Sequence, residues 1–220
     1  MATRATESEL REAIVDVGLR MWQRELVAAN DGNVSVRLDD ERLLCTPTGI
    51  SKGRMRPSDL AIVALDGTLL DAGTGRGPSS EMKMHLRAYR VGTETGTPVN
   101  AVVHAHPPYS TSFAIRGEAI TSTMLAETVV FMPSVPLAPF AMPSTEEVPD
   151  SVEPFIAEYQ ACLLEHHGAL TWGPDLEEAY LSMERLEYLA RMVHLMRQSG
   201  GERELSPERI SRLKAHFNLR

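Results

Sequence analysis

His104-Ala105-His106 places two imidazoles two residues apart. In a strand such residues project from one face, about 7 Å apart along the chain, so both rings can serve a single ion. Pro107 and Pro108 stop the strand directly beyond them, which leaves the pair at a strand end that a ligand can reach. His166-His167-Gly168 closes a second predicted strand in the same way. Neighbouring residues on a strand face opposite sides, so one member of that pair is available to a metal shared with His104 and His106. Three histidines with a fourth position open is the ligand set of a catalytic zinc site.

Pro78-Ser79-Ser80-Glu81 precedes an amphipathic stretch. Serine followed by an acid in the first turn satisfies ordinary helix capping and the helix dipole. The same arrangement suits phosphate, because free N–H groups point outward from a helix N-terminus. Glu81 would then stand as a general base beside a metal. Gly32-Asn33-Val34-Ser35 and Thr46-Pro47-Thr48-Gly49 are turns of small polar residues next to strands. Lys52, Arg54 and Arg56 read as a solvated basic loop. His85, His194 and His216 fall inside predicted helices and read as isolated core or surface residues.

The elements that must carry these residues follow from pattern. Thr6 with Glu9 is a capping box, and Leu10, Ile14, Val17, Met21 and Leu26 continue at helical spacing to about Ala28. A hairpin is predicted over Val34–Arg37 and Leu43–Cys45. A second runs over Leu60–Leu65 and Thr68–Leu70, turning at Asp66-Gly67. Residues 72–79 read as a loop, with a helix from Ser79 or Ser80 to about Arg90. A buried strand is expected from Val99 into His104, then a short helix from Pro108 to Ile115. Residues 117–143, broken by four prolines, read as short strands or extended loops. Helix is expected over 150–159, a strand over 161–165, a long helix from the cap Asp175 to about Gln198, and a last helix from Ser206-Pro207 through Phe217. Strands and helices intermix without strict βαβ alternation. The expectation is one α/β domain over residues 1–220 with a mixed or mostly antiparallel sheet, residues 199–220 forming a helical tail.

Composition narrows the function. The chain has 220 residues, 22 basic and 30 acidic, for a formal charge of −8, which disfavours a general nucleic-acid or anionic-membrane surface. The two cysteines, Cys45 and Cys162, lie far apart and exclude both a disulfide framework and an all-cysteine metal site. No secretory signal pattern or membrane-length apolar run is present, so a cytoplasmic protein is expected.

Taken in order, Gly32-Asn33-Val34-Ser35-Val36-Arg37, Thr46-Pro47-Thr48-Gly49-Ile50, Pro78-Ser79-Ser80-Glu81, Val102-Val103-His104-Ala105-His106 and Glu165-His166-His167-Gly168 resemble the class II aldolase/adducin superfamily, and within it the bacterial L-fuculose-1-phosphate aldolases. The likeness spans about residues 8 to 197. It implies an α/β/α fold with a mainly antiparallel sheet, and a C4-symmetric homotetramer with sites near subunit interfaces. It implies Zn2+, or another divalent transition metal, on His104, His106 and His167, with His166 outside the ligand set. Glu81 matches the acid/base, and Asn33, Thr48, Gly49, Ser79 and Ser80 match the residues that hold the substrate phosphate. The implied reaction cleaves a ketose 1-phosphate, such as L-fuculose 1-phosphate, to dihydroxyacetone phosphate and an aldehyde through a metal-stabilised ene-diolate.

The chain departs from that pattern in two places. Asp31 stands where the aldolase has small or neutral residues, and a carboxylate there opposes a phosphate unless it points away. The family's tyrosines, one central and one near the C-terminus, have no counterpart in Met124-Leu125-Ala126-Glu127 or in the tail Phe217-Asn218-Leu219-Arg220, although Glu127 offers a polar group. The aldehyde end is therefore expected to differ. Sugar-phosphate dehydratases and sugar-acid phosphate decarboxylases share the metal motifs and stand as alternatives. An epimerase would carry aspartate in place of Glu81. A non-catalytic adducin-like interaction module has no need of three imidazoles and an acid, and stoichiometric metal separates it from the enzymes.

Overall fold

A computed structural model describes residues 5–201 and 203–219. In chain order the elements are α1 (Glu7–Gln23), β1 (Asn33–Arg37), β2 (Arg42–Cys45), β3 (Ala61–Ala64), β4 (Leu69–Asp71), α2 (Met82–Thr95), β5 (Ala101–Ala105), α3 (Pro108–Ile115) and β6 (Ile120–Thr121). They continue with α4 (Ala126–Phe131), β7 (Ser134–Val135), β8 (Leu137–Ala138), α5 (Glu147–Val152), β9 (Ala161–Leu164), β10 (Gly168–Gly173), α6 (Leu176–Gln198) and α7 (Pro207–His216). Eight strands form one sheet in the order β4-β3-β2-β1-β5-β10-β9-β8, antiparallel throughout except for β8 on β9. This is the mixed, mostly antiparallel α/β domain expected. No described helix is long and apolar enough to cross a membrane.

Alternation along β5 explains how the two layers form. Ala101, Val103 and Ala105 face a core built with Ile14, Val17 and Met21 of α1, Phe113 of α3, and Met183, Leu186 and Ala190 of α6. Val102 faces the other core, made with Met84, Ala88 and Val91 of α2 and Val148 and Val152 of α5. His104 shares the parity of Val102 and therefore projects toward the α2 layer. The same parity on β1 sends Asn33 and Ser35 to that side, while Val34 and Val36 enter the first core.

The structure corrects several boundaries. Helix α1 ends at Gln23, short of Ala28, because Glu25 adopts φ 59° and turns the chain toward the sheet. The turn buries Leu26 and Val27, and the Leu26 carbonyl then accepts the His106 N–H at 3.1 Å. Helix α2 begins at Met82, two to three residues later than expected, and runs past Arg90 to Thr95, where Gly96 ends it in the left-handed region. Val91 and Gly92 extend it because a Cβ at Gly92 would lie 2.7 Å from Val99 Cγ2, so the glycine admits close packing against the next segment. The expected helix over 150–159 starts at Glu147 and gives way to a 3₁₀ turn, Glu153–Phe155, at Pro154. Helix α4 interrupts a segment read as extended. Strand β10 was not anticipated, yet it lies between β5 and β9 in the middle of the sheet.

Candidate metal and anion site

The register of the sheet assembles one corner of the site. Asn33 pairs with His104 across β1 and β5, and Leu170 of β10 pairs with His104 on the other edge. β9 and β10 are joined by the three-residue loop 165–167, closed by the His167 N–H on the Leu164 carbonyl at 3.0 Å, with His166 at φ 55°. One left-handed residue in a three-residue hairpin loop is a standard way to reverse the chain. It also corrects the reason why only one of the two histidines joins the site. They sit in a tight turn, not on a strand, and the turn leaves His166 exposed while His167 points inward. A Cβ on Gly168 would stand 2.5 Å from the Ala105 carbonyl oxygen and 2.6 Å from His106 Cδ2. Only glycine lets the hairpin approach the end of β5 this closely.

The outcome is a convergence of His104, His106 and His167, with one ligand nitrogen from each lying within 4.8 Å of the others. The ring centroids are 4.8 to 5.2 Å apart. Nδ1 of His104 stands 2.9 Å from the Ala169 carbonyl oxygen, which fixes the proton there and frees Nε2 for a metal. Nε2 of His104 and Nε2 of His106 are 3.0 Å apart, close to the about 3.3 Å expected of two ligands on one tetrahedral ion. Burial pushes the His104 imidazole down to about 3, and burial together with the neighbouring His167 also lowers His106. Both rings are thus neutral at physiological pH, the form a metal requires. The donor set fits a divalent transition metal.

Glu81 closes the cluster from the α2 side. Its carboxylate lies 2.9 Å from His167 Nε2 and 3.4 Å from His104 Nε2, and it accepts a 2.8 Å hydrogen bond from Asn33 Nδ2. Burial pushes this carboxyl up, while the hydrogen bonds it accepts from His167 Nε2 and the Asn33 amide pull it back down and favour the ionised form. Because a carboxylate accepts only, the Asn33 amide is oriented by this bond, and its buried Oδ1 is left without a partner. That oxygen is available to a donor on a bound molecule.

The other expected residues lie on two adjoining loops. Thr48 donates its N–H to the Gly77 carbonyl at 3.0 Å, and Pro47 bridges Pro78, so the 46–49 and 76–80 segments run side by side. Ser79 Oγ is 3.4 Å from Asn33 Nδ2 and accepts the Glu81 N–H at 3.3 Å. Neither serine caps α2: Glu81 occupies the N-cap position without a side-chain bond. The first N–H groups of α2 thereby lack the side-chain cap the sequence suggested. Thr48, Gly49 and Ser80 are exposed, and Ser80 Oγ lies 3.0 Å from Ser144 Oγ.

Four features escaped the sequence. Asp31 faces His106 Nδ1 at 3.6 Å, on the ring nitrogen opposite Nε2. Glu187 of α6 accepts from the N–H groups of Tyr109 and Ser110 at 2.9 and 2.8 Å, anchoring the helix that follows His106. Lys52, read as solvated, is 1% exposed. His85 is fully buried with Nδ1 2.7 Å from Ser35 Oγ, which also lies 2.9 Å from the Tyr89 hydroxyl. A buried lysine two residues beyond a turn carries no periodic signal, and Asp31 and Glu187 act across distances that only the fold closes. Glu127 is exposed on α4, among residues of the α4–α6 groove that include none of the cluster.

Comparison with known proteins decides the family. The Class II Aldolase and Adducin N-terminal domain model matches residues 12–194. The chain belongs to that family. A 3-oxo-tetronate 4-phosphate decarboxylase of Escherichia coli strain K12 is 33% identical over 194 residues, covering 86% of this chain and 88% of that enzyme. An L-fuculose phosphate aldolase of Methanococcus maripaludis is 30% identical over 181 residues, 80% of this chain and 91% of that one. The solved structure of YgbL from Escherichia coli superposes with a TM-score of 0.84 at 32% identity, covering 94% of this chain and 99% of that chain. Relatives of this kind are lyases of sugar phosphates, and the chain is an enzyme of the class II aldolase type.

Proposed function

We propose that the protein is a Zn2+-dependent carbon–carbon lyase that releases dihydroxyacetone phosphate from a phosphorylated sugar-acid or sugar substrate. The observation that carries this reading is the closure of Glu81 onto three converging imidazoles. His104, His106 and His167 would hold the ion, which supplies Lewis-acid stabilisation to the oxygen that gains charge as the bond breaks. Glu81, its side chain 19% exposed, picks up one proton from bulk solvent per turnover, the proton that loss of carbon dioxide from a carboxylate consumes overall, and delivers it to the carbon left by the departing fragment. Asn33 orients Glu81, and Asn33, Thr48, Gly49, Ser79 and Ser80 receive the phosphate. Exposed apolar side chains at Phe131, Phe140, Met142 and Tyr188 support assembly into a homotetramer. The free, buried thiols of Cys45 and Cys162 are in keeping with the cytoplasm.

Proton accounting separates decarboxylation from aldol cleavage. Loss of carbon dioxide from a 3-oxo acid needs one acid, at the carbon, and no base at the leaving group. Aldol cleavage also requires a base to take the proton from the leaving hydroxyl. Glu81, once it has picked up a solvent proton, serves the carbon, and no tyrosine hydroxyl bonds to the cluster among the described residues; Tyr89 is engaged by Ser35 and Tyr180 by Glu184. We therefore favour decarboxylation of a 3-oxo-tetronate 4-phosphate-like acid, with aldol cleavage of a ketose 1-phosphate as the second reading. The missing tyrosines that were expected to alter aldehyde specificity instead support a reaction without an aldehyde. Zinc-loaded protein offered both substrate classes should release carbon dioxide and dihydroxyacetone phosphate in equal amounts from the acid. Aldehyde and dihydroxyacetone phosphate from the ketose alone would install the second reading, and a dehydrated product would reject both.

A further inference from the structure

Lys52 is the least expected side chain near the site. It lies in a 3₁₀ turn, Lys52–Arg54, pressed against α1: a Cβ on Gly18 would stand 2.9 Å from the Lys52 carbonyl oxygen, and one on Gly53 would meet the Trp22 ring at 2.7 Å. The clamp turns the ammonium inward. Nζ donates to the carbonyl oxygens of Asn30 and Ile50, each at 2.9 Å. Asn30 precedes the Asp31-Gly32-Asn33 turn, and Ile50 directly follows Thr48-Gly49, so one ammonium ties the turn that carries Asn33 to the 46–49 loop, two of the three segments assigned to the phosphate.

A charge this deeply buried is costly when its partners are neutral carbonyls, and no carboxylate pairs with Lys52 among the described residues. Burial pushes the amine down to about 8, with the carboxylates of Asp31 and Glu81 pulling it back only in part. The five residues assigned to the phosphate carry no charge of their own, whereas Asp31 and Glu81 add negative charge close by. A dianion entering there needs a compensating cation. Arg76 is a second cation near the pocket, but it is exposed and rests on the Gly49 carbonyl at 3.3 Å.

We propose that Lys52 is a positioning residue and the fixed counter-charge of the phosphate pocket, holding the Asn30–Asn33 and Thr48–Ile50 loops at phosphate spacing while never touching the substrate. This inference rests on the phosphate reading given above. The missing counter-ion of the buried ammonium is then the phosphate of the substrate itself.

The test compares wild type, Lys52→Met, Lys52→Gln and Ser79→Ala, each loaded with zinc, using inorganic phosphate as the probe. Titration calorimetry gives affinity, and thermal unfolding with and without phosphate gives stability. For Lys52→Met, phosphate affinity and the phosphate-induced rise in Tm should fall at least tenfold and by more than half, respectively. Its Tm without phosphate should be equal or higher, because an unpaired buried charge has gone. KM for the phosphorylated substrate should rise at least tenfold, with kcat changed less than threefold. Lys52→Gln keeps N–H donors without the charge and serves the same comparison if the methionine variant does not fold. If both variants unfold or drop in Tm without phosphate, Lys52 is a strut and the proposal is wrong. If Ser79→Ala loses phosphate while the Lys52 variants bind it normally, the proposal fails and the phosphate reading survives. If wild type does not bind phosphate, the phosphate reading fails first.

Discussion

The metal corner and the anion corner of the site are built by different means. His104 sits mid-sheet, fully buried, fixed by strand register on both sides and by the Ala169 carbonyl. His106 and His167 are drawn to it by a hairpin that only Gly168 allows. The anion corner, in contrast, consists of two exposed loops joined by the Thr48–Gly77 bond, the Pro47–Pro78 bridge and the contact of Ser79 with Asn33. A substitution in the first corner removes chemistry, because the sheet cannot rearrange around it. One in the second should weaken binding and leave the chemistry nearly intact.

The sharpest contrast comes from His104→Ala. It should abolish stoichiometric metal and cost at least about 10³-fold in kcat/KM, several kcal/mol of transition-state stabilisation. Retention of one metal per chain, by elemental analysis, would break the claim that the sheet-borne histidine is indispensable. Glu81→Gln should retain the metal and lose about 10²–10⁴-fold in kcat. Near-normal turnover would dismiss Glu81 as the proton donor.

A third experiment probes the buried layer behind both corners. Burial holds the fully enclosed His85 neutral, pushing it down to about 4 from the ordinary 6.5. The unfolded chain therefore binds a proton that the folded chain refuses. The stability His85 contributes is complete above about pH 6.5 and is lost as pH falls through 4, amounting to about 3 kcal/mol. Denaturant titrations of wild type and His85→Gln should diverge over that window, the variant losing less stability on acidification. Parallel curves would contradict the assignment.

On the anion side, Ser79→Ala should raise KM about ten- to a hundredfold, the worth of one hydrogen bond to a charged group, with kcat nearly unchanged. A loss confined to kcat would instead place Ser79 with the metal corner. The smallest effect belongs to Asp31→Asn. It weakens the electrostatic support of His106 across 3.6 Å and should lower zinc affinity about tenfold, as read by chelator competition. A tighter phosphate site without any change in zinc affinity would show that Asp31 acts on the anion instead.

This division also explains what could be read from the residues. Period-two spacing puts His104 and His106 on one strand face, and turn chemistry marks the 46–49 and 78–81 loops, which is where the structure brings these residues together. The partner of His104 on its far nitrogen is a backbone carbonyl of β10, a strand for which the sequence pattern predicts no element. No side-chain pattern encodes such a bond, because it depends on register. Lys52 was misread for a related reason: lysine is nearly always solvated, and only the approach of α1 through Gly18 buries this one. The contact of Asp31 with His106 is hidden for the same reason, because sequence gives adjacency to Gly32-Asn33 and not the direction of the side chain.

The central claim is that one divalent ion, held by His104, His106 and His167, is required for breaking a carbon–carbon bond. It is tested most directly by stripping the purified protein with a chelator and titrating Zn2+ back while dihydroxyacetone phosphate release is followed. The account predicts that activity vanishes with the metal and returns linearly to a break at one ion per chain. Full turnover by metal-free protein, or recovery only at several ions per chain, would contradict it.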